Sequence, residues 1–310
     1  MRTDLFIIGN GFDVSHGLPT YYDKNFRPWI LNNYPEAGKN EGIWFLEPTT
    51  FPNGEKRLND IDAAKFIINC IDDSSQDNWR DFEAALGTID WSYFFDALPD
   101  VLDEDGDLDV FHMEQDREAF AQTLRINCKS FSHIFSKWIN SIVYPKTETH
   151  PFLTENKKRE SLFLNFNYTK TLEKLYGISP ANICHIHGIQ GEDIIIGHGR
   201  IAEYHDDIFI DRETDLDWAL FKPTEEIFKS HRLFFDKIQK NNIQNVYSWG
   251  FSFSDVDLYY IKQISLILNK GHAKWHLHNF CISDCEKHSK KLRECGFLGE
   301  IDTFNTQLHL

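Results

Sequence analysis

The sequence predicts an α/β protein: a parallel sheet with helices on both faces, interrupted by an inserted helical subdomain. Three observations carry that expectation. A short, almost wholly apolar run, Asp4-Leu5-Phe6-Ile7-Ile8, breaks at once into Gly9-Asn10-Gly11, as a strand buried on both faces does where it turns toward a helix. From Ser161 onward, strand and helix signals alternate, the pattern of a parallel sheet with crossover helices. Between them, residues 60–150 switch to apolar stripes three and four apart, which is helical spacing.

The elements follow in order. After the glycine turn, Thr20 to Phe26 lead into a short helix, and residues 32–58, with Pro35, Gly38, Pro48, Pro52 and Gly54, read as irregular loop. Phe66, Ile67, Cys70 and Ile71 form one helical stripe; Trp79, Phe82, Glu83 and Leu86 form a second; Phe120, Leu124, Phe131, Phe135, Trp138 and Ile142 form a third. Glu83 falls on the inner face beside Trp79 and Phe82. An edge-of-core carboxylate bonded to an Arg or a Trp N–H explains it as well as a catalytic group does. Ser161–Phe166 is a strand, Lys170–Tyr176 a helix, Asn182–Ile186 a strand, and Asp193–Ile196 a further strand ahead of Gly197-His198-Gly199, a flexible turn. Thr224–Lys240 reads as one long amphipathic helix behind Pro223. Asn245–Gly250 is a strand, and Ser254 is an N-cap for a helix from Asp255 to Leu268. Ala273–Phe280, a helix from Asp284 to Cys295 and a strand near Ile301 close the sequence. The chain reads as one α/β domain over residues 1–310 with an acidic helical insertion at 60–150.

Composition bounds the function. Hydrophobic residues at 41% and aromatics at 15%, with 26 Phe and 8 Trp, supply a bulky packed core. No apolar run approaches the ~20 residues that cross a bilayer, and the N-terminal run is too short for a signal peptide. Six scattered Cys without a Cys-x-x-Cys pair argue for reduced thiols in a cytoplasm, and neither a zinc ribbon nor another metal centre is expected. The net charge of −16 opposes direct nucleic-acid binding. Residues 60–150 hold 19 Asp/Glu against 7 Lys/Arg, densest from Asp100 to Asp109. That stretch fails as a calcium loop, because Val101 stands five before Gly106 where an EF-hand needs Asp. It reads as a solvated loop.

In a doubly wound sheet, ligands bind beyond the carboxyl ends of the strands. The polar motifs Asn10/Asp13, Asn167/Thr169, His187, His198 and Ser252/Asp255 all fall at predicted strand ends. Gly9, Asn10, Gly11 and Phe12 then form a candidate phosphate-binding turn, with free N–H groups of a helix start facing a ligand. Gly-x-Gly also recurs in ordinary strand-to-helix turns, so both readings stand. On the ligand reading, a β-branched residue at Gly11 abolishes binding and leaves folding intact.

Gly9-Asn10-Gly11-Phe12-Asp13, His16-Gly17-Leu18-Pro19-Thr20, Trp79-x-x-Phe82-Glu83, Phe166-Asn167-Tyr168-Thr169, His185-Ile186-His187-Gly188 and Gly250-Phe251-Ser252-x-Ser254-Asp255-x-Asp257 resemble the AbiH family of bacterial proteins linked to abortive phage infection. A more distant resemblance, in the order glycine turn, Gly-Leu-Pro, Asn-Tyr, His-Gly and Gly-x-Ser, is to the SIR2 group of NAD-consuming enzymes. It implies a Rossmann-like (SIR2-like) sheet that takes NAD or another adenine nucleotide, with Asn167 and His187 as catalytic residues facing one pocket. Gly9, Asn10, Gly11, Phe12, Asp13, Thr169, Gly250, Ser252 and Asp255 would bind the nucleotide. The sequence departs from that group where Asn10 replaces Ala, Asp13 replaces Ser and Thr169 stands in place of Asp, and the zinc module is missing. A carboxylate at Asp13 would repel a pyrophosphate, so it suits a ribose hydroxyl, a cation or the helix start. His185 is expected on the face of its strand opposite to that of His187, away from the pocket. Two functions follow: an NAD-cleaving phage-defence enzyme, or a non-catalytic sensor of a nucleotide or phage protein. In either, the acidic helical block offers a surface to a phage or host protein.

Overall fold

The computed structural model describes residues 2–39, 45–73, 81–146, 148–157, 160–199, 208–269, 271–279 and 282–306. Trp79, singled out in the sequence, lies outside them. The chain divides into two compact units: residues 1–21, 139–195 and 223–310 form one, and residues 22–138 and 196–222 form the other.

The first unit is built on six parallel strands: β1 (Arg2–Ile8), β2 (Leu162–Asn165), β3 (Ile183–His185), β4 (Asn242–Trp249), β5 (Lys274–His278) and β6 (Glu300–Phe304). Their spatial order is 3-2-1-4-5-6, the doubly wound order whose direction of progress reverses between β1 and β4. β1 is central because its side chains can be buried on either side. Leu5 and Ile7 pack in a core with Leu164, Val246 and Trp275, while Phe6 and Ile8 pack in a second core with Phe163 and Trp249. The first core is closed by helices α8 (Arg232–Lys240) and α9 (Leu258–Leu268), which contribute Phe235, Ile238, Tyr260 and Ile264. The second is closed by Phe12 of α1 (Asn10–Ser15) and by Leu172 and Tyr176 of α5 (Thr171–Tyr176). α10 (Ile282–Glu294) lies between β5 and β6 in sequence.

The second unit holds α2 (Asp60–Asp73), α3 (Val110–Asn127), most of α4 (Lys129–Ser141) and α6 (Ile208–Leu220). Its core is aromatic: Phe82 stacks on Phe135 at 5.9 Å and 6°, and Phe26 on Trp138 at 4.8 Å and 28°. Among the described residues no helix is long and apolar enough to cross a membrane.

Five local expectations change. The long helix over 224–240 is two, α7 (Thr224–Ser230) and α8, divided at His231. There the backbone N–H and the ring Nδ1 of His231, together with the Ser230 hydroxyl, all converge on the Ile227 carbonyl, and such local bonds compete with helix continuation. The stripe from Phe120 to Ile142 likewise breaks at Cys128, next to buried Asn127, whose amide bonds the Leu46 carbonyl instead of continuing a surface. Asp193–Ile196 makes no strand, only a bridge between Ile194 and Gly188, because Gly188 and Gly191 at φ 92 turn the chain back on itself. Ser254 does not cap with its side chain; a 3₁₀ turn, Asp255–Asp257, precedes α9. The 32–58 region also contains a 3₁₀ turn at Pro35–Gly38 and a small hairpin, Thr49–Thr50 with Lys56–Arg57.

Among the described residues, Glu83 meets a lysine. Lys222 Nζ, on a fully buried side chain, donates to Glu83 Oε1 at 2.7 Å. Breaking such a pair strands one charge in a low-dielectric interior. Lys222→Met is therefore expected to cost about 3–5 kcal/mol in urea unfolding, and adding Glu83→Gln to it should recover most of that loss.

Candidate functional site

The switch point is built from backbone. Gly9 N–H donates to Trp249 O, Gly11 N–H to Gly250 O and Phe12 N–H to Gly9 O. A Cβ on Gly9 would sit 2.5 Å from Phe251 Cα, and one on Gly11 2.7 Å from Gly250 Cα. Gly250 itself takes φ 65 and meets the backbone of Gly11 and Phe12. The turn after β1 is thus packed directly against the turn after β4, and three of its N–H groups bond the protein itself. Phe12 points into the core, edge-on to Trp249 at 5.0 Å. Asn10 Nδ2 donates to Thr20 O and so ties the turn to the Leu18-Pro19-Thr20 segment.

Asp13 does not reach outward. It is fully enclosed, and the Thr169 and Thr171 hydroxyls donate to its two carboxylate oxygens at 2.6 and 2.7 Å. Burial pushes its pKa up to about 6, against the opposing effect of these hydroxyls and of Asn167. Thr169, expected at the ligand, is thus a strut between α1 and α5. Asn167 is also engaged: its N–H donates to Asn165 Oδ1 and its Nδ2 to Gly9 O. His185 turns toward α5, where Nε2 meets Glu173 Oε1 at 2.9 Å. His187 is only 3% exposed and sits among the rings of Phe166, Tyr168 and Tyr260, with Nε2 3.6 Å from Asp257 Oδ1. Asn167 is held by the β1 turn and His187 by α9. His185 and His187 diverge although residues two apart in a strand share a face, because β3 ends at His185 and His187 lies in the turn beyond it.

A cavity of about 230 Å³ opens at the carboxyl ends of β4 and β5. Gly11, Gly250, Phe251, Phe253 and Leu277 line it, and Ser252 adds a hydroxyl. α10 brings Asp284 and His288, and β5 brings His278. Burial lowers the pKa of His278 to about 4 and lowers that of His288 as well, so both imidazoles are neutral at pH 7. Phe253 has φ 53, the left-handed region that costs a bulky residue about 1–2 kcal/mol. Its ring packs on His288 at 4.8 Å, and Lys291 Nζ holds its carbonyl at 2.8 Å. Strain of this kind clusters at ligand sites.

Of the expected nucleotide residues, Gly11, Gly250 and Ser252 line this cavity, whereas Asp255 is 87% exposed and paired with Lys291. His198, expected in a flexible turn at a strand end of the sheet, lies buried in the second unit, where its Nε2 contacts the Asp217 carbonyl. His278, Asp284 and His288 belong to none of the sequence motifs, and Asp257 stands in one only as the last residue of the Gly250–Asp257 segment. The spacing of Asp284 and His288, one helical turn apart, was the available signal for two of them.

A parallel sheet in 3-2-1-4-5-6 order with a cavity beside its switch point defines a doubly wound, Rossmann-like α/β protein. The family model for bacteriophage abortive infection AbiH matches residues 5–278, and the chain belongs to that family. No curated protein and no solved structure matches it.

Two measurements follow from the switch point. Gly11→Val forces two backbones apart, so it is expected to lower stability by about 1–3 kcal/mol in denaturant unfolding, in contrast to the sequence expectation of intact folding. Asp13 binds a proton more tightly folded than unfolded, so its contribution falls as pH rises from about 4 to about 6 and is flat above. The deficit of Asp13→Asn relative to the parent should therefore be larger at pH 4 than at pH 7, by on the order of 3 kcal/mol.

Proposed function

We propose that this chain is a cytoplasmic abortive-infection effector that binds a nucleotide across the β1–β4 switch point and cleaves NAD at its nicotinamide–ribose bond. The observation that carries the binding reading is the aromatic cavity at the one place in a doubly wound sheet where nucleotides are received. Neutral His278 and His288, with Phe251 and Phe253, suit an uncharged heteroaromatic base. Ser252 and Asp284 suit ribose hydroxyls. The site is read as metal-free, and the base end is an adenine.

His187 and Asn167 would serve the chemistry. As the C1′–N bond breaks, its electron pair neutralises the pyridinium nitrogen of the departing nicotinamide. Water adds to C1′ and surrenders a proton to His187, while Asn167 orients the ribose or the water. A non-catalytic nucleotide sensor is favoured by the opposite observation: the Asn167 amide is spent on Gly9 O, and His187 is nearly closed to solvent.

In the second unit, Leu102, Leu108, Val110 and Phe111 are 56–68% exposed within the acidic loop and the start of α3. Apolar side chains ringed by Asp and Glu suit a phage or host protein with a basic-rimmed apolar cleft.

Incubating the protein with NAD, with nicotinamide read by chromatography and binding by calorimetry, tests these readings. Nicotinamide release that falls on the order of 10²–10⁴-fold in His187→Ala is the outcome expected of the enzyme. Saturable binding of NAD or ATP without nicotinamide supports the sensor, and no binding of either overturns both.

A further inference from the structure

The geometry points to Asp284 as the residue that decides which nucleotides enter the cavity: its carboxylate accepts both hydroxyls of an unmodified ribose and repels a ribose that carries a 2′- or 3′-phosphate. This role rests on the nucleotide-binding reading and is independent of whether the ligand is cleaved.

Asp284, His288 and Lys291 stand at i, i+4 and i+7 on α10, so they share one face of the helix. That face is fastened to the loop after β4. Lys291 Nζ donates to the Phe253 carbonyl and to the Asp255 carboxylate, both at 2.8 Å. One turn earlier, the His288 ring packs on Phe253 at 4.8 Å and hydrogen-bonds the Ser252 backbone. The first turn of the same face then delivers Asp284, itself exposed, to the lining that Ser252 shares.

The charge of the lining sets what can enter. With His278 and His288 neutral at pH 7, Asp284 holds the one formal charge among the described lining residues. No lysine or arginine offsets it among them: Lys291 is engaged with Asp255, and Lys287 stands outside the lining. The backbone offers a phosphate little more. The Gly9, Gly11 and Phe12 N–H groups bond the protein itself, and the positive end of the α10 dipole is met by Asp284 in its own first turn. A phosphate in the cavity would face an uncompensated negative charge between apolar walls, where screening is weak. A ribose is the opposite case. Its neighbouring 2′ and 3′ hydroxyls are two donors, and a carboxylate has two accepting oxygens. Phosphates on the 5′ carbon then point out of the cavity, away from Asp284.

Three isomers of one composition, 5′-AMP, 2′-AMP and 3′-AMP, test this by calorimetry on the full chain. The parent protein should bind 5′-AMP on the order of 10–10²-fold more tightly than either other isomer, and added salt should narrow the gap. Asp284→Asn, which keeps the side-chain shape, should close most of the gap by tightening the 2′- and 3′-isomers. Asp284→Lys should reverse the order. Equal binding of the three isomers by the parent, a gap that Asp284→Asn leaves unchanged or closes only by weakening 5′-AMP, or a parent that binds NAD but none of the three overturns the role of Asp284 alone. A parent that binds none of the three and neither NAD nor ATP overturns the nucleotide-binding reading with it.

Discussion

Two turns of bare backbone, Gly9–Gly11 after β1 and Gly250 after β4, press on each other so closely that a single methyl group has no room. Everything at the carboxyl edge of the sheet depends on that approach. It lets the Gly11 N–H reach the Gly250 carbonyl, and it seats α1 over the core through Phe12. The cavity begins on the far side of the same contact, with Gly11 and Gly250 in its lining. A glycine pair that looks like a phosphate cradle in sequence is first of all a point of closest packing. Any ligand is received beside it.

The polar residues around that contact divide into two sets with different jobs. Asp13, Thr169, Thr171 and Asn167 form a closed network that ties α1, the β2–α5 turn and Gly9 together. A buried carboxylate that receives two hydroxyls is costly to ionise and costly to lose, so this network is a clamp. His187, Asp257, His278, His288 and Asp284 are held instead by strand ends and by helices α9 and α10. This second set is rich in imidazole and carboxylate groups, whereas the clamp has the single carboxylate of Asp13.

Much of the first unit was legible in the sequence because its strands are buried on both faces, and continuous apolar runs bounded by glycine betray such strands. β1, β2 and the helix α9 follow directly. What escaped was decided by contacts far apart in sequence. Nothing near Glu83 announces Lys222, 139 residues away, and nothing near Asp13 announces that Thr169 and Thr171 will take both its oxygens. The break at His231 was hidden for a different reason: the apolar spacing of α7 and α8 runs on across it, and only the competition for one carbonyl interrupts the helix. For the candidate site, motif residues at strand ends were visible. The residues that α10 supplies were not, since a helix beyond the last matched motif carries no glycine punctuation.

The position of β1 also bears on how the molecule comes into being. Its neighbour on one side, β4, lies at the other end of the chain, with Asn245 bonding Asp4 across 241 residues. The chain passes between the two units four times before β4 is made. At ribosomal speeds of about 5–20 residues per second, the first strand waits on the order of tens of seconds for that partner. The switch point cannot close before β4 and Gly250 have been made.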